Sequence, residues 1–120
     1  PMRDSDIVEA VVCMANSDGG VILIGVEDNG KITGARARHG AITEPRKVQA
    51  MIFNLTVPPI NTRISLHTLD EREVLAIEVD AYPEICATKD GRSVRRVDGI
   101  NGPECQPFLP HEHVSRRIDL

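Results

Sequence analysis

Aromatic side chains are nearly missing: the sequence has no Trp, one Tyr (Tyr82) and two Phe (Phe53 and Phe108). Three rings are too few for the stacking platform on which single strands are held, which excludes that mode of nucleic-acid binding. Lysine is scarce too, with 3 Lys beside 11 Arg. The formal net charge is −4, so a whole-domain electrostatic grip on a polyanion is not indicated. No apolar run approaches the ~18 residues of a membrane span, and no signal peptide opens the chain. Cysteines are few, odd in number and widely spaced (Cys13, Cys86 and Cys105). That usage predicts a reduced, cytoplasmic protein and not a disulfide scaffold or a zinc site. No Gly-Lys-Ser/Thr occurs, and the glycines follow a helix instead of a strand, so a phosphate-cradling P-loop is excluded.

What remains is an ordinary globular composition. The chain has 120 residues, 41% of them hydrophobic and 27% charged, enough for one domain with a core of its own. Asp4-Ser5-Asp6 reads as an N-cap cluster, and Ile7, Val8, Val11, Val12 and Ala15 follow at helical spacing. Asn16-Ser17-Asp18-Gly19-Gly20 ends that helix. Val21 to Val26 is continuous and apolar, which predicts a central strand covered on both faces. Glu27-Asp28-Asn29-Gly30 predicts a hairpin turn, with a returning strand over 31–34 and a polar loop over 35–43.

Pro45 opens a second helix with Val48, Met51, Ile52 and Leu55 as its buried stripe, ended by Pro58-Pro59. Ile60 to Leu69 alternates as a half-buried strand, and Val74 to Val79 forms the next. Lys89-Asp90-Gly91 predicts a hairpin turn into a strand over Ser93 to Val97. The Gly/Pro/Asn-rich stretch from Asp98 to Pro110 predicts a loop, and 111–118 a last helix. The expected class is α+β: a largely antiparallel or mixed sheet of hairpins packed against two or three helices.

The strongest basic feature is the strand bearing Arg92, Arg95 and Arg96. Alternation puts Arg92, Val94 and Arg96 on one face and Arg95 on the other. Arg36, Arg38 and His39, with Arg46 and Lys47, make a second basic group. Arginine suits bidentate phosphate contacts; the competing reading is a solvated strand paired with Asp90 or Asp98. His111 and His113 stand two apart, which turns them away from a shared metal on a helix, so no metal site is expected.

Three segments in order carry a family resemblance: Ala15-Asn16-Ser17-Asp18-Gly19-Gly20, then Leu23-Ile24-Gly25-Val26-Glu27-Asp28-Asn29-Gly30, then Ile32-Thr33-Gly34. With Pro58-Pro59-Ile60, Val74 to Val79, Gly91 to Val97 and the tail from Pro110 to Ile118, the chain resembles the Schlafen AlbA-like domain, also called the divergent-AAA DNA-binding domain. The resemblance spans nearly the whole chain.

It implies a nucleic-acid-associated module of a transcriptional-regulator-like protein, with Asn16, Gly19, Gly20, Gly25 and Gly30 as its structural motif. Residues 1–120 would then be one domain, a fragment without its upstream strand or a C-terminal winged helix. The phosphate contacts implied are Arg92 and Arg96, the latter favoured by the family match, with Arg36 and Arg38, and DNA is favoured over RNA as the partner. The resemblance also places a nuclease carboxylate at Asp28, whose partners lie upstream of Pro1, so catalysis by this segment alone is not expected. No cofactor and no membrane partner are expected. A Schlafen-type metal-dependent nuclease, a divergent AAA nucleotide-binding domain, and a dimerisation scaffold that pairs two copies stay open as alternatives.

Overall fold

The computed structural model describes residues 3–25, 44–69, 71–100 and 102–108. The predicted turn at 27–30, strand over 31–34, loop over 35–43 and helix over 111–118 lie outside those residues. Asp28, Gly30, Arg36, Arg38, His39, His111 and His113 lie there with them.

The element order is α1 (Asp4–Ala15), β1 (Gly20–Ile24), α2 (Pro45–Asn54), β2 (Thr56–Val57), β3 (Arg63–Leu69), β4 (Arg72–Val79), β5 (Ala87–Thr88), β6 (Val94–Gly99) and β7 (Gly102–Pro107). All described strand pairs are antiparallel, so the α+β expectation holds. The sheets are β1-β4-β3, β2-β5 and β6-β7. Arg3 caps α1, and its N–H donates to Asp6 Oδ2 at 3.0 Å. Asp4 and Asp6 therefore occupy the first turn, where the helix dipole favours acids, and not the cap assigned from the sequence.

The core forms where apolar stripes at helical spacing meet one sheet face. Ile7, Val11 and Val12 of α1 and Val48 and Ile52 of α2 pack with Ile22, Ile24, Leu75 and Ile77. Each fully buried Ile, Leu or Val contributes about 1.5–3 kcal/mol. In α2 Pro45 stands in the first turn as expected, but Leu55 caps the helix and is exposed. The helix ends at Asn54 and β2 follows before the two prolines. The predicted alternation is present from Ile60 to Leu66, with Ile60 and Thr62 buried and Ile64 and Leu66 half-buried, but it is lost at the end of the strand, where His67, Thr68 and Leu69 are all exposed, and the ladder begins only at Arg63.

Four further expectations fail. The described part of the predicted central strand, Val21 to Ile24, is not covered on both faces. The strand described is Gly20–Ile24, at an edge of its sheet among the described residues, with Val21 52% and Leu23 49% exposed. Both helices pack on the face of Ile22 and Ile24, and the register sets Val21 and Leu23 beside Glu78 and Ala76 on the other. An antiparallel sheet with one solvated face needs no second helical layer.

The stretch after Asp98 is not all loop either. Gly102–Pro107 pairs with Val94–Gly99, its prolines sitting near the two ends of a strand that has β6 as its described neighbour. The turn at Lys89-Asp90-Gly91 forms, with the Gly91 N–H donating to Thr88 C=O at 2.9 Å, but β5 pairs with β2 and β6 with β7. Finally, the cysteines are not all reduced. Cys13 and Cys105 form a disulfide with Cα atoms 5.8 Å apart, and the free thiol is the buried Cys86. The bridge spans 92 residues of sequence, a proximity no local pattern encodes.

The C-terminal end of α1 collects the chain. Gly19 has φ +77°, and a Cβ there would come within 2.6 Å of Val79 C=O, so the turn into β1 requires glycine. Gly20 and Gly25 also take positive φ. Ala15 C=O accepts from the Tyr82 N–H at 2.8 Å. Asn16, 3% exposed, donates through Nδ2 to Cys86 C=O at 2.8 Å and Val94 C=O at 2.9 Å, while its Oδ1 accepts from the Cys86 N–H at 2.7 Å. Replacing Asn16 with Ala strands a buried N–H and a buried C=O. Urea denaturation should show a loss of about 2–4 kcal/mol; a loss below about 0.5 kcal/mol would show that the carboxamide does not hold these strands.

Candidate nucleic-acid interface

The arginine strand lies directly against this junction. Ser17 follows Asn16, and its hydroxyl donates to Cys13 C=O at 2.8 Å while accepting from the Arg96 N–H at 2.8 Å. Arg96 stands opposite Cys105 in the β6–β7 register, and Cys105 is bridged to Cys13. The backbone at Arg96 is thus held directly by Ser17, and its ladder partner Cys105 is tied to the last turn of α1 by the disulfide. The Arg96 side chain itself is exposed and forms no ion pair among the described residues.

The other two arginines of the segment are engaged. Arg95 is half-buried, with its guanidinium 5.9 Å from the centroid of the Phe108 ring, within cation–π range. Arg92 lies before β6, in the turn, where its N–H donates to Thr88 Oγ1 at 2.9 Å. Its guanidinium meets Glu9 Oε2 at 2.5 Å and Asp90 at 3.3 Å. The Asp90 carboxyl sits below its ordinary pKa because the Thr88 hydroxyl, and then Arg92, bond to its charged form. A depressed carboxyl pKa means the charged contact is complete at neutral pH and is lost as pH falls through that lowered value. Arg92 is therefore held between two carboxylates at neutral pH.

Arg92 also lines two clefts. One, of roughly 280 Å³, is lined by Ser5, Val8, Leu55, Lys89 and Asp90 as well. The other, of roughly 380 Å³, has Glu9, Ser93, Cys105 and Phe108 on its walls. Among the described residues no group of three His, Cys, Asp or Glu could hold a metal ion. No helix among them is long and apolar enough to cross a membrane.

Of the arginines singled out in the sequence, Arg92 lies in the turn two residues before β6 and Arg96 is its third residue; Arg36 and Arg38 lie outside the described residues. Sequence reasoning missed Ser17, Glu9 and the Cys13–Cys105 pair. Ser17 carries no signal beyond a polar residue in a turn. Glu9 reads as the solvated side of α1, and its partner is 83 positions away. The side chains of Glu9 and Arg92 are 34% and 45% exposed, so their attraction is well screened. Glu9→Gln should cost no more than about 1 kcal/mol by urea denaturation. A loss above about 3 kcal/mol would mark the pair as a buried one whose rupture leaves an uncompensated charge.

The profile of the family described as Schlafen, AlbA_2 matches residues 1–104. Among solved structures, the chain is similar to the DIP2311 protein from Corynebacterium diphtheriae, with a TM-score of 0.74 and 24% identity over 98% of this chain and 22% of that one. It therefore spans 22% of the length of that protein, a likeness of fold. It is also similar to the N-terminal domain of a RecG-related protein from Nitrosomonas europaea, at a TM-score of 0.45 and 20% identity over 88% of this chain and 71% of that one. No curated protein matches the chain.

Proposed function

The chain belongs to the Schlafen AlbA_2 family, and from that premise we propose that it is a nucleic-acid-binding module whose arginines contact a phosphate backbone, on DNA in preference to RNA. In this reading it serves a transcriptional-regulator-like protein in the cytoplasm. The observation that supports it most is Arg96: an exposed guanidinium without an ion pair among the described residues, on a backbone fixed by Ser17 and by its bridged neighbour Cys105. A cation on a fixed backbone binds an anion with less ordering cost than one on a mobile loop. Arg92 contributes by exchanging Glu9 or Asp90 for a phosphate oxygen, and so binds more weakly than Arg96. The proposal includes Arg36 and Arg38, which lie outside the described residues, as further phosphate contacts.

Phosphate contacts position a protein on a duplex without reading its sequence. With a net charge of −4, the domain competes poorly with salt, and affinity is low at physiological ionic strength. Fluorescence anisotropy with a labelled duplex at two salt concentrations tests the reading. Arg96→Ala should weaken binding roughly fivefold, about 1 kcal/mol, equally for unrelated duplex sequences. It should also lower the slope of log affinity against log salt by about 0.9. Unchanged affinity and slope would return Arg96 to the status of a solvated strand residue.

A further inference from the structure

From the placement of the Cys13–Cys105 bridge we infer that it is a thiol–disulfide exchange site whose oxidation state sets how firmly the β6–β7 hairpin presents Arg96. The two sulfurs are unequally placed. Cys13 is fully buried in the last turn of α1, whereas Cys105 is exposed in β7 and lines the cleft that also holds Glu9, Arg92 and Phe108. A thiol entering that cleft reaches the Cys105 side of the bridge.

The strands of the hairpin are tied to the rest of the domain by different means. β6 is held by Asn16 at Val94 C=O and by Ser17 at the Arg96 N–H, and neither contact involves sulfur. β7 has its ladder to β6 and the bridge to α1. Opening the bridge removes the tether of β7 to α1, so the hairpin is held to α1 through the Asn16 and Ser17 contacts on β6 and β7 follows only by its ladder, and the position directly opposite Cys105 is Arg96. The bridge therefore acts on the arginine strand and leaves the core of Ile7, Val11, Ile52, Leu75 and Ile77 in place. A disulfide that occurs in a reducing compartment is usually transient, with a catalytic or redox-sensing role.

The exchange is a two-electron step with a low-molecular-mass thiol as reductant. Its thiolate attacks Cys105 Sγ, forming a mixed disulfide while the Cys13 Sγ–Cys105 Sγ bond breaks. The bond pair leaves on Cys13 Sγ, which takes a proton from solvent. A second reductant thiolate then attacks the reductant sulfur of the mixed disulfide, and Cys105 departs as a thiolate and is protonated. The protein gains two electrons and two protons, and the reductant ends as its own disulfide. Closure is the reverse reaction with a small-molecule disulfide as oxidant.

The consequence for binding rests on the phosphate-contact reading; the change in the hairpin does not. The whole chain is prepared with oxidised glutathione or with dithiothreitol, and thiols are titrated in denaturant. One thiol, that of Cys86, is expected in the oxidised form and three in the reduced form. Amide hydrogen exchange is then compared. Reduction should speed exchange across β6 and β7 at least about tenfold while α1 and β4 amides keep their protection. A Cys13→Ser/Cys105→Ser variant should match the reduced protein and ignore reductant.

Duplex binding should weaken roughly three- to tenfold on reduction, the cost of ordering one long side chain. Three thiols in the oxidised preparation, or exchange in β6 and β7 that is the same in both forms, would overturn the inference. A hairpin that loosens on reduction in a protein that binds no duplex in either form would uphold the exchange site and overturn the phosphate reading.

Discussion

The carboxamide of Asn16 uses its nitrogen and its oxygen on backbone groups 70 and 78 positions further along the chain. It joins the end of α1 to the segment before β5 and to the first residue of β6. These groups are buried, so each bond is worth more as protection against an unpaired dipole than as a net attraction. Around it, Ala15 C=O holds Tyr82, Ser17 holds Arg96 and Cys13 holds Cys105. Four successive attachments within five residues make one short stretch the organising centre for everything after β4. The helix stripe Ile7, Val11 and Val12 anchors that stretch in the core.

That centre decides which charges remain for a ligand. Arg63 is engaged on two sides, bonded to Glu78 at 2.9 Å and in a fork with Asp80 at 2.8 and 3.0 Å, which raises its own pKa and lowers that of Asp80. Arg3 pairs with Asp6 and Arg92 with Glu9 and Asp90. The 18 acidic residues against 14 basic ones are therefore not a uniform negative haze. Several arginines are consumed in pairs, and Arg96 stands out because Ser17 and the bridge fix its backbone while its guanidinium has no carboxylate among the described residues.

Periodicity exposed most of the fold. The apolar spacing in α1 and α2, the alternation of β3 and the glycines after Asn16 are local signals, and each has a local cause: helix stripe, pleat and left-handed backbone. The errors share a different cause. Val21 to Ile24 carries apolar side chains on both faces, and only the positions of both helices on one side show which face is covered. Pro103 and Pro107 look like loop residues until the partner strand is known. Cys13 and Cys105, Glu9 and Arg92, and Asn16 and Val94 meet across 92, 83 and 78 positions. Distances of that kind follow from the assembled sheets and not from any window of sequence. The candidate site was legible as an arginine-rich strand with Arg96 favoured by the family match, while the capture of Arg92 by Glu9, 83 positions away, was not.

The central claim is that a polyanion meets this domain at the β6–β7 hairpin beside the end of α1. The described surface offers a rival in the open sheet face of Val21, Leu23, Ser65 and His67. A heteronuclear NMR titration of the oxidised chain with a short duplex at low salt separates the two. The largest amide shifts should fall at Ser17, Arg95 and Arg96 and at Cys105 opposite them, with the Arg96 side-chain Nε–H moving alongside. Shifts concentrated on β1 and β3, with β6 and β7 unmoved, would contradict the account.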